Sequence, residues 1–185
     1  MRRTVLGAGF LLALVFGCRR AEVDPPPAAV SRARLEELEA ILASHDDNDP
    51  RLDRDFNALS PGEKEQFRRA YAALAPERRN ERGTVVYLLG KNLSSAEDWD
   101  FLRRVAAEPP CLSLADCSKR GLRQGPGDEV TLAYPALVAL KQAQRELEAG
   151  GPDAARARAV VEAGKGSRSP AAARLAERLD GLRKK

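Results

Sequence analysis

The residues of this chain whose chemistry could be specific are three cysteines, one histidine and an acidic run beside that histidine. His45-Asp46-Asp47-Asn48-Asp49 puts carboxylates and an imidazole in one short stretch. Read as a calcium loop from Asp47, it would need an oxygen donor at Arg51 and glycine at Leu52. It has neither, so a turn with Asp49 capping a short helix from Pro50 is expected. His45 is expected at a helix end, as a dipole partner. Cys111 and Cys117 are separated by five residues, whereas redox pairs use two and sit at a helix start. Zinc would require two further ligands, and only His45 is on offer. A Ser-His-Asp relay would depend on His45 too, with no Gly-x-Ser-x-Gly elbow, P-loop or Gly-x-Gly-x-x-Gly to accompany it. The sequence thus nominates no catalytic residue, metal set or cofactor, and an enzyme is not expected.

Cys18 has a different context. Arg2 and Arg3 precede an apolar run, Val5 to Gly17, too short to span a bilayer comfortably. The run closes on Val15-Phe16-Gly17-Cys18, which resembles the lipobox of bacterial lipoproteins, with Phe16 larger than the usual residue there. The resemblance implies cleavage before Cys18, lipidation of that cysteine and attachment of the mature chain to a membrane. Arg2-Arg3-Thr4-Val5-Leu6 loosely resembles the twin-arginine export motif, but general export is favoured. Arg19 stands where lipoproteins kept in the inner membrane carry Asp, so the family rule implies the outer membrane, facing the periplasm. Removal of Arg2 and Arg3 leaves 29 basic against 27 acidic side chains, a net +2, so the charge argues for no nucleic-acid partner. With Cys18 assigned to lipid, Cys111 and Cys117 remain as an even pair in an oxidising compartment, where a structural disulfide is expected.

The elements that position these residues are helical. The chain is rich in Ala, Leu, Arg and Glu and only 5% aromatic, which favours helix over strand. Residues 1–17 are expected to be a signal peptide, and residues 18–30, with Pro25-Pro26-Pro27, a stiff tether. Residues 31–185 form one helical domain. Ser31 caps a helix to Ser44 with Leu35, Leu38, Ile41 and Leu42 on one face. Ser60-Pro61-Gly62-Glu63 starts another that carries Phe67, Ala70, Tyr71 and Leu74. Asn80–Lys91 follows, with Gly83 tolerated if helices pack closely there. Ser94 with Glu97, or Ser95 with Asp98, caps a helix whose buried stripe is Trp99, Leu102, Val105 and Ala106. Beyond a Gly-rich stretch, Arg120–Asp128, a longer helix is built on Val130, Tyr134, Leu137, Val138 and Leu147. Pro135 either kinks it or marks its first turn. Asp153–Ala163 and Pro170–Leu182 complete the chain.

Arg82 to Gly90 with Glu97 to Val105 resembles one unit of HEAT-type helical-hairpin repeats, and Tyr134 to Leu140 a second, more divergent one. An all-α architecture is expected, either an irregular helical bundle or a short solenoid of that kind. The resemblance implies a scaffold that binds partners across a helical face. The expected function is a lipid-anchored envelope adaptor holding a protein partner, with Arg103 and Arg104 as rim contacts. The alternative is a small periplasmic protein binding an apolar ligand in a helical groove.

Overall fold

The computed structural model describes residues 27–121, 125 and 127–181. The signal peptide, Cys18, most of the expected tether and Leu182 therefore lie outside the described residues. Everything described is helix and connecting loop, arranged as a helical bundle. In chain order the helices are α1 (Pro27–Ser44), α2 (Arg51–Arg54), α3 (Pro61–Ala73), α4 (Arg79–Lys91), α5 (Ala96–Ala107), α6 (Asp128–Leu132), α7 (Tyr134–Ala149), α8 (Ala154–Lys165) and α9 (Pro170–Gly181). Among the described residues no helix is long and apolar enough to cross a membrane.

Local signals account for most of the boundaries. Glu63 donates its amide to Ser60 Oγ (3.3 Å) and the Ser60 amide donates to Glu63 Oε2 (2.7 Å), a reciprocal cap with Pro61 in the first turn of α3. α5 is capped by the second of the two expected pairs: Asp98 N donates to Ser95 Oγ at 3.3 Å and Ser95 N to Asp98 Oδ2 at 3.1 Å. Gly150, at φ 62°, ends α7 in the left-handed region. Helix α2 starts at Arg51, one residue later than expected, with Pro50 in the cap position, and Asp49 Oδ1 accepts from the Arg51 amide at 2.9 Å. Asn92 stops α4 and holds the turn before α3 in place. Its Nδ2 donates to Phe56 and Leu88 carbonyls at 2.8 Å each, and its Oδ1 accepts from the Leu59 amide at 3.0 Å.

Two expectations need correction. Helix α1 begins at Pro27, so the last four residues assigned to the tether are helical; a proline at the first helical position has no hydrogen bond to lose there. The long helix expected from Val130 is two helices, broken at Ala133 (φ −111°, ψ 14°). Pro135 has no N–H to donate and its ring would collide with the Thr131 carbonyl, so the chain restarts with proline in the first turn of α7. Val130 consequently sits on the short α6 at 48% exposure, outside the core.

The helices pack in two layers. α4, α7 and α9 lie side by side, while α5 and α8 lie side by side beneath them; α5 also packs on α4 and α7, and α8 on α7 and α9. Hairpin α4–α5 is thereby stacked on hairpin α7–α8, like helix against like. α3 packs on α4, and α1 on α3. The core runs through both layers, from Leu38, Ile41, Phe56 and Phe67 through Val85, Leu88, Trp99 and Leu102 to Leu140, Val160 and Leu179. Trp99 is 3% exposed, a core residue as its helical stripe indicates. The closest approach in the upper layer is at α4 and α7. A Cβ on Gly83 would overlap the ring of Tyr134, and one on Gly90 would overlap the Gln142 side chain. Both glycines are needed for proximity, one helical heptad apart on the same face.

Candidate functional site

The buried charged groups are bound up in structure. Asp98, 3% exposed, accepts at Oδ2 from Lys64 Nζ (2.7 Å) and from the Ser94 and Ser95 amides (3.0 and 3.1 Å), and at Oδ1 from Arg68 Nη1 (3.0 Å). Lys64, itself 3% exposed, donates a second bond to Ser94 Oγ at 2.7 Å. Burial works to raise the Asp98 carboxyl, but Lys64 and the Ser94 amide outweigh it and hold the group below the usual aspartate range. The cluster ties α3 to the start of α5. Arg82 lies over the Tyr71 ring at 4.1 Å from its centroid and pairs with Glu108 at 2.6 Å, while the Tyr71 hydroxyl donates to the same carboxylate at 2.7 Å. Burial, followed by the charge of Glu108, pushes that phenol well above its ordinary range.

His45 follows α1 in the left-handed region (φ 55°), with Nδ1 2.8 Å from Glu81 Oε1, so it links the end of α1 to α4. Arg78 bonds the same oxygen at 2.7 Å and donates from Nη2 to the Leu42 carbonyl at 3.1 Å. Asp47 lines a small recess with His45 and Glu81; burial, then the charges of Glu81 and Asp46, raise its carboxyl above the normal range.

Cys111 and Cys117 are brought to disulfide distance, with Cα atoms 4.0 Å apart. The loop they bound is fastened at several points. Cys111 N donates to the Leu132 carbonyl (3.2 Å), Cys117 N to Glu77 Oε1 (3.0 Å), and Arg79 Nη2 to the Leu114 carbonyl (2.9 Å). This packs the loop over the start of α4 and the end of α6.

A feature suited to binding something else is a groove on the outer face of the α4–α7–α9 layer, with a volume of about 460 Å³. Its floor is apolar: Val130, Tyr134, Leu137 and Val138 from α6 and α7, and Ala171 and Leu175 from α9. The rim is basic. Lys141 and Arg145 stand one turn apart on α7, and Arg174 and Arg178 one turn apart on α9. Arg174 pairs with Glu129, an acid on the same rim. Lys141 and Arg145 donate only to neutral amides, Gln144 Oε1 at 2.9 Å and Gln142 Oε1 at 3.2 Å, and Arg178 meets no carboxylate among the described residues. Three cations thus line the groove without an ion-pair partner among the described residues.

Arg103 and Arg104 are exposed on α5, in the other layer, and neither lines the groove; Arg103 pairs with Asp100 of its own helix at 3.3 Å. Sequence reasoning missed the groove because each of its cations taken alone looks like an ordinary solvated helical residue. The i,i+4 pairs on α7 and α9 were the available signal, and they acquire meaning only when the two helices are adjacent. Comparison with protein-family models, with curated proteins and with solved structures finds no match to this chain.

Proposed function

We propose that this chain is a lipid-anchored adaptor of the bacterial envelope, joined to the membrane through Cys18, whose helical body holds a partner protein in the α7–α9 groove. The groove carries the reading: an apolar floor, exposed at Val130, half-buried at Tyr134, Leu137 and Val138, buried at Ala171 and Leu175, and edged by cations without a carboxylate partner among the described residues, is the composition of a recognition surface, with an apolar centre and a polar rim. Its openness suits a partner surface better than a small apolar ligand, which gains most when enclosed. The stacking of α4–α5 on α7–α8 supports the HEAT-type likeness, and with it a scaffold role. Binding without turnover is also in keeping with how the interior acids are used, since Glu63, Glu81 and Asp98 are each held by caps or cross-helix bonds.

A photo-crosslinking residue at Val138, in cells also expressing a Cys18→Ser form, tests both halves. The expected result is a discrete protein adduct from Val138, and acyl-label incorporation that disappears in Cys18→Ser. The same label at Arg104 is the comparison; an adduct from Arg104 but not Val138 would move the interface to α5. Acylation unchanged in Cys18→Ser would overturn the anchor. Crosslinks to lipid alone would replace the adaptor with the small-ligand protein.

A further inference from the structure

We infer that the occupant of the groove is an acidic amphipathic helix of the partner, about three turns long; this deepens the adaptor reading and rests on it. The first argument is the distribution of charge. The cations stand on both banks, Lys141 and Arg145 on one and Arg174 and Arg178 on the other, each pair separated by one helical turn. Negative charge on the occupant must therefore be spread along it and on both sides. A fatty acid carries its charge at one end and meets only one of these positions. A flat anionic bilayer surface does not descend between two helices to the floor. An amphipathic helix with acids flanking its apolar stripe does both.

The second argument is the backbone. The walls of the groove are helix side chains, whose main-chain groups are already bonded within α7 and α9. An extended peptide would find no strand edge to pair with and would have to leave its own amides to water. A helix arrives with those groups satisfied. The third argument is length. From Tyr134 to Arg145 the groove follows α7 for about 16 Å at 1.5 Å per residue, the span of some three helical turns. Glu129 adds a specificity device: it neutralises Arg174 until a competing carboxylate replaces it, so that weakly acidic segments gain little at that corner.

The test uses the full chain in detergent and two helix-stapled peptides. Both carry leucines at i, i+3, i+4 and i+7; one has glutamates on its flanks and the other lysines in the same places. Fluorescence anisotropy should show the glutamate peptide binding at least about tenfold more tightly than the lysine peptide, as several exposed ion pairs together would give. Lys141→Glu with Arg178→Glu should weaken the glutamate peptide about tenfold or more and strengthen the lysine peptide, with helical circular dichroism unchanged. Leu137→Asp should abolish both. Raising salt about tenfold should weaken the glutamate peptide toward the lysine one. Equal binding of the two peptides, or indifference to the double reversal, overturns the inference. Displacement of the glutamate peptide by palmitate or by phosphatidylglycerol added to the same detergent, together with direct binding of labelled palmitate that is lost in Leu137→Asp, would also overturn it, by making the groove a lipid site. Failure of the peptides alongside a protein adduct at Val138 in envelopes would leave the adaptor standing and remove only the acidic helix. Lipid adducts there would remove both.

Discussion

Replacing Asp98 with Asn keeps the shape of the side chain and deletes its charge, so it isolates what the buried carboxylate does. Four donors converge on it, two of them cationic, and three of the four bond the same oxygen. An amide in that position either offers an NH2 to three donors or rotates and loses Arg68. Lys64, at 3% exposure, is then left charged and without a counter-ion. Breaking a buried pair by removing one partner costs roughly 3–5 kcal/mol, and in the first orientation the α5 cap loses one of its two reciprocal bonds besides. Set against a typical stability of about 5–15 kcal/mol, this is a large fraction. A body of this size should melt some 8–15 °C lower. Lys64→Met should cost clearly less, because Asp98 keeps Arg68 and two amides. The double variant should be more stable than the sum of the singles by at least about 1.5 kcal/mol, since both touch one network. The native-state carboxyl is depressed, so its contribution is complete above the unfolded aspartate value near 4 and disappears as pH falls through the lower folded value. The variant should therefore lose part of the acid dependence below pH ~4. Urea unfolding across pH 2 to 7 measures all of this. Asp98→Asn within about 1 kcal/mol of the parent, or additivity within about 0.5 kcal/mol, would refute the reasoning.

Gly83→Ala should destabilise by about 1–3 kcal/mol even though alanine is the better helix former, because the added methyl meets the Tyr134 ring. Combining it with Tyr134→Ala should cost less than the sum, and a stabilising Gly83→Ala in a thermal melt would show that the helices are not in close contact. Opening the Cys111–Cys117 link by reduction, or in Cys111→Ser with Cys117→Ser, should cost roughly 2 kcal/mol of loop entropy while leaving helix content unchanged. Hydrogen exchange should accelerate in the loop, including the Cys111 amide that donates to the Leu132 carbonyl; free, alkylatable thiols in the protein as isolated from its cells would remove the link itself.

What could be read from sequence was local. Ser60-Pro61-Gly62-Glu63 and Ser95-Ala96-Glu97-Asp98 carry their caps within four residues, and the stripe of Trp99, Leu102, Val105 and Ala106 is a matter of 3.6-residue periodicity. Pro135 was legible as a choice between a kink and a first turn, and the break at Ala133 settles it. Contacts between distant segments were not legible. Nothing near Lys64 announces that its ammonium is buried, because its partner lies 34 residues away on another helix. The groove fails to show for the same reason: its floor mixes α6, α7 and α9, and Val130 reads as core until α6 turns it outward.

The attachment of α1 has a mechanical consequence. Among the described side chains of this helix, contacts with the body begin with Arg34 over the Phe56 ring and half-buried Leu35 and deepen at Leu38, while its polar fastenings, Arg78 on the Leu42 carbonyl and His45 on Glu81, cluster at its C-terminal end. A load entering from the N-terminal side of α1 thus meets this row of attachments from one end. Tension in line with the helix is shared by all of those attachments at once, in shear. Tension across it pries them loose one at a time, beginning with Arg34 and Leu35. The same linkage resists a pull along the axis of α1 and yields to a sideways one.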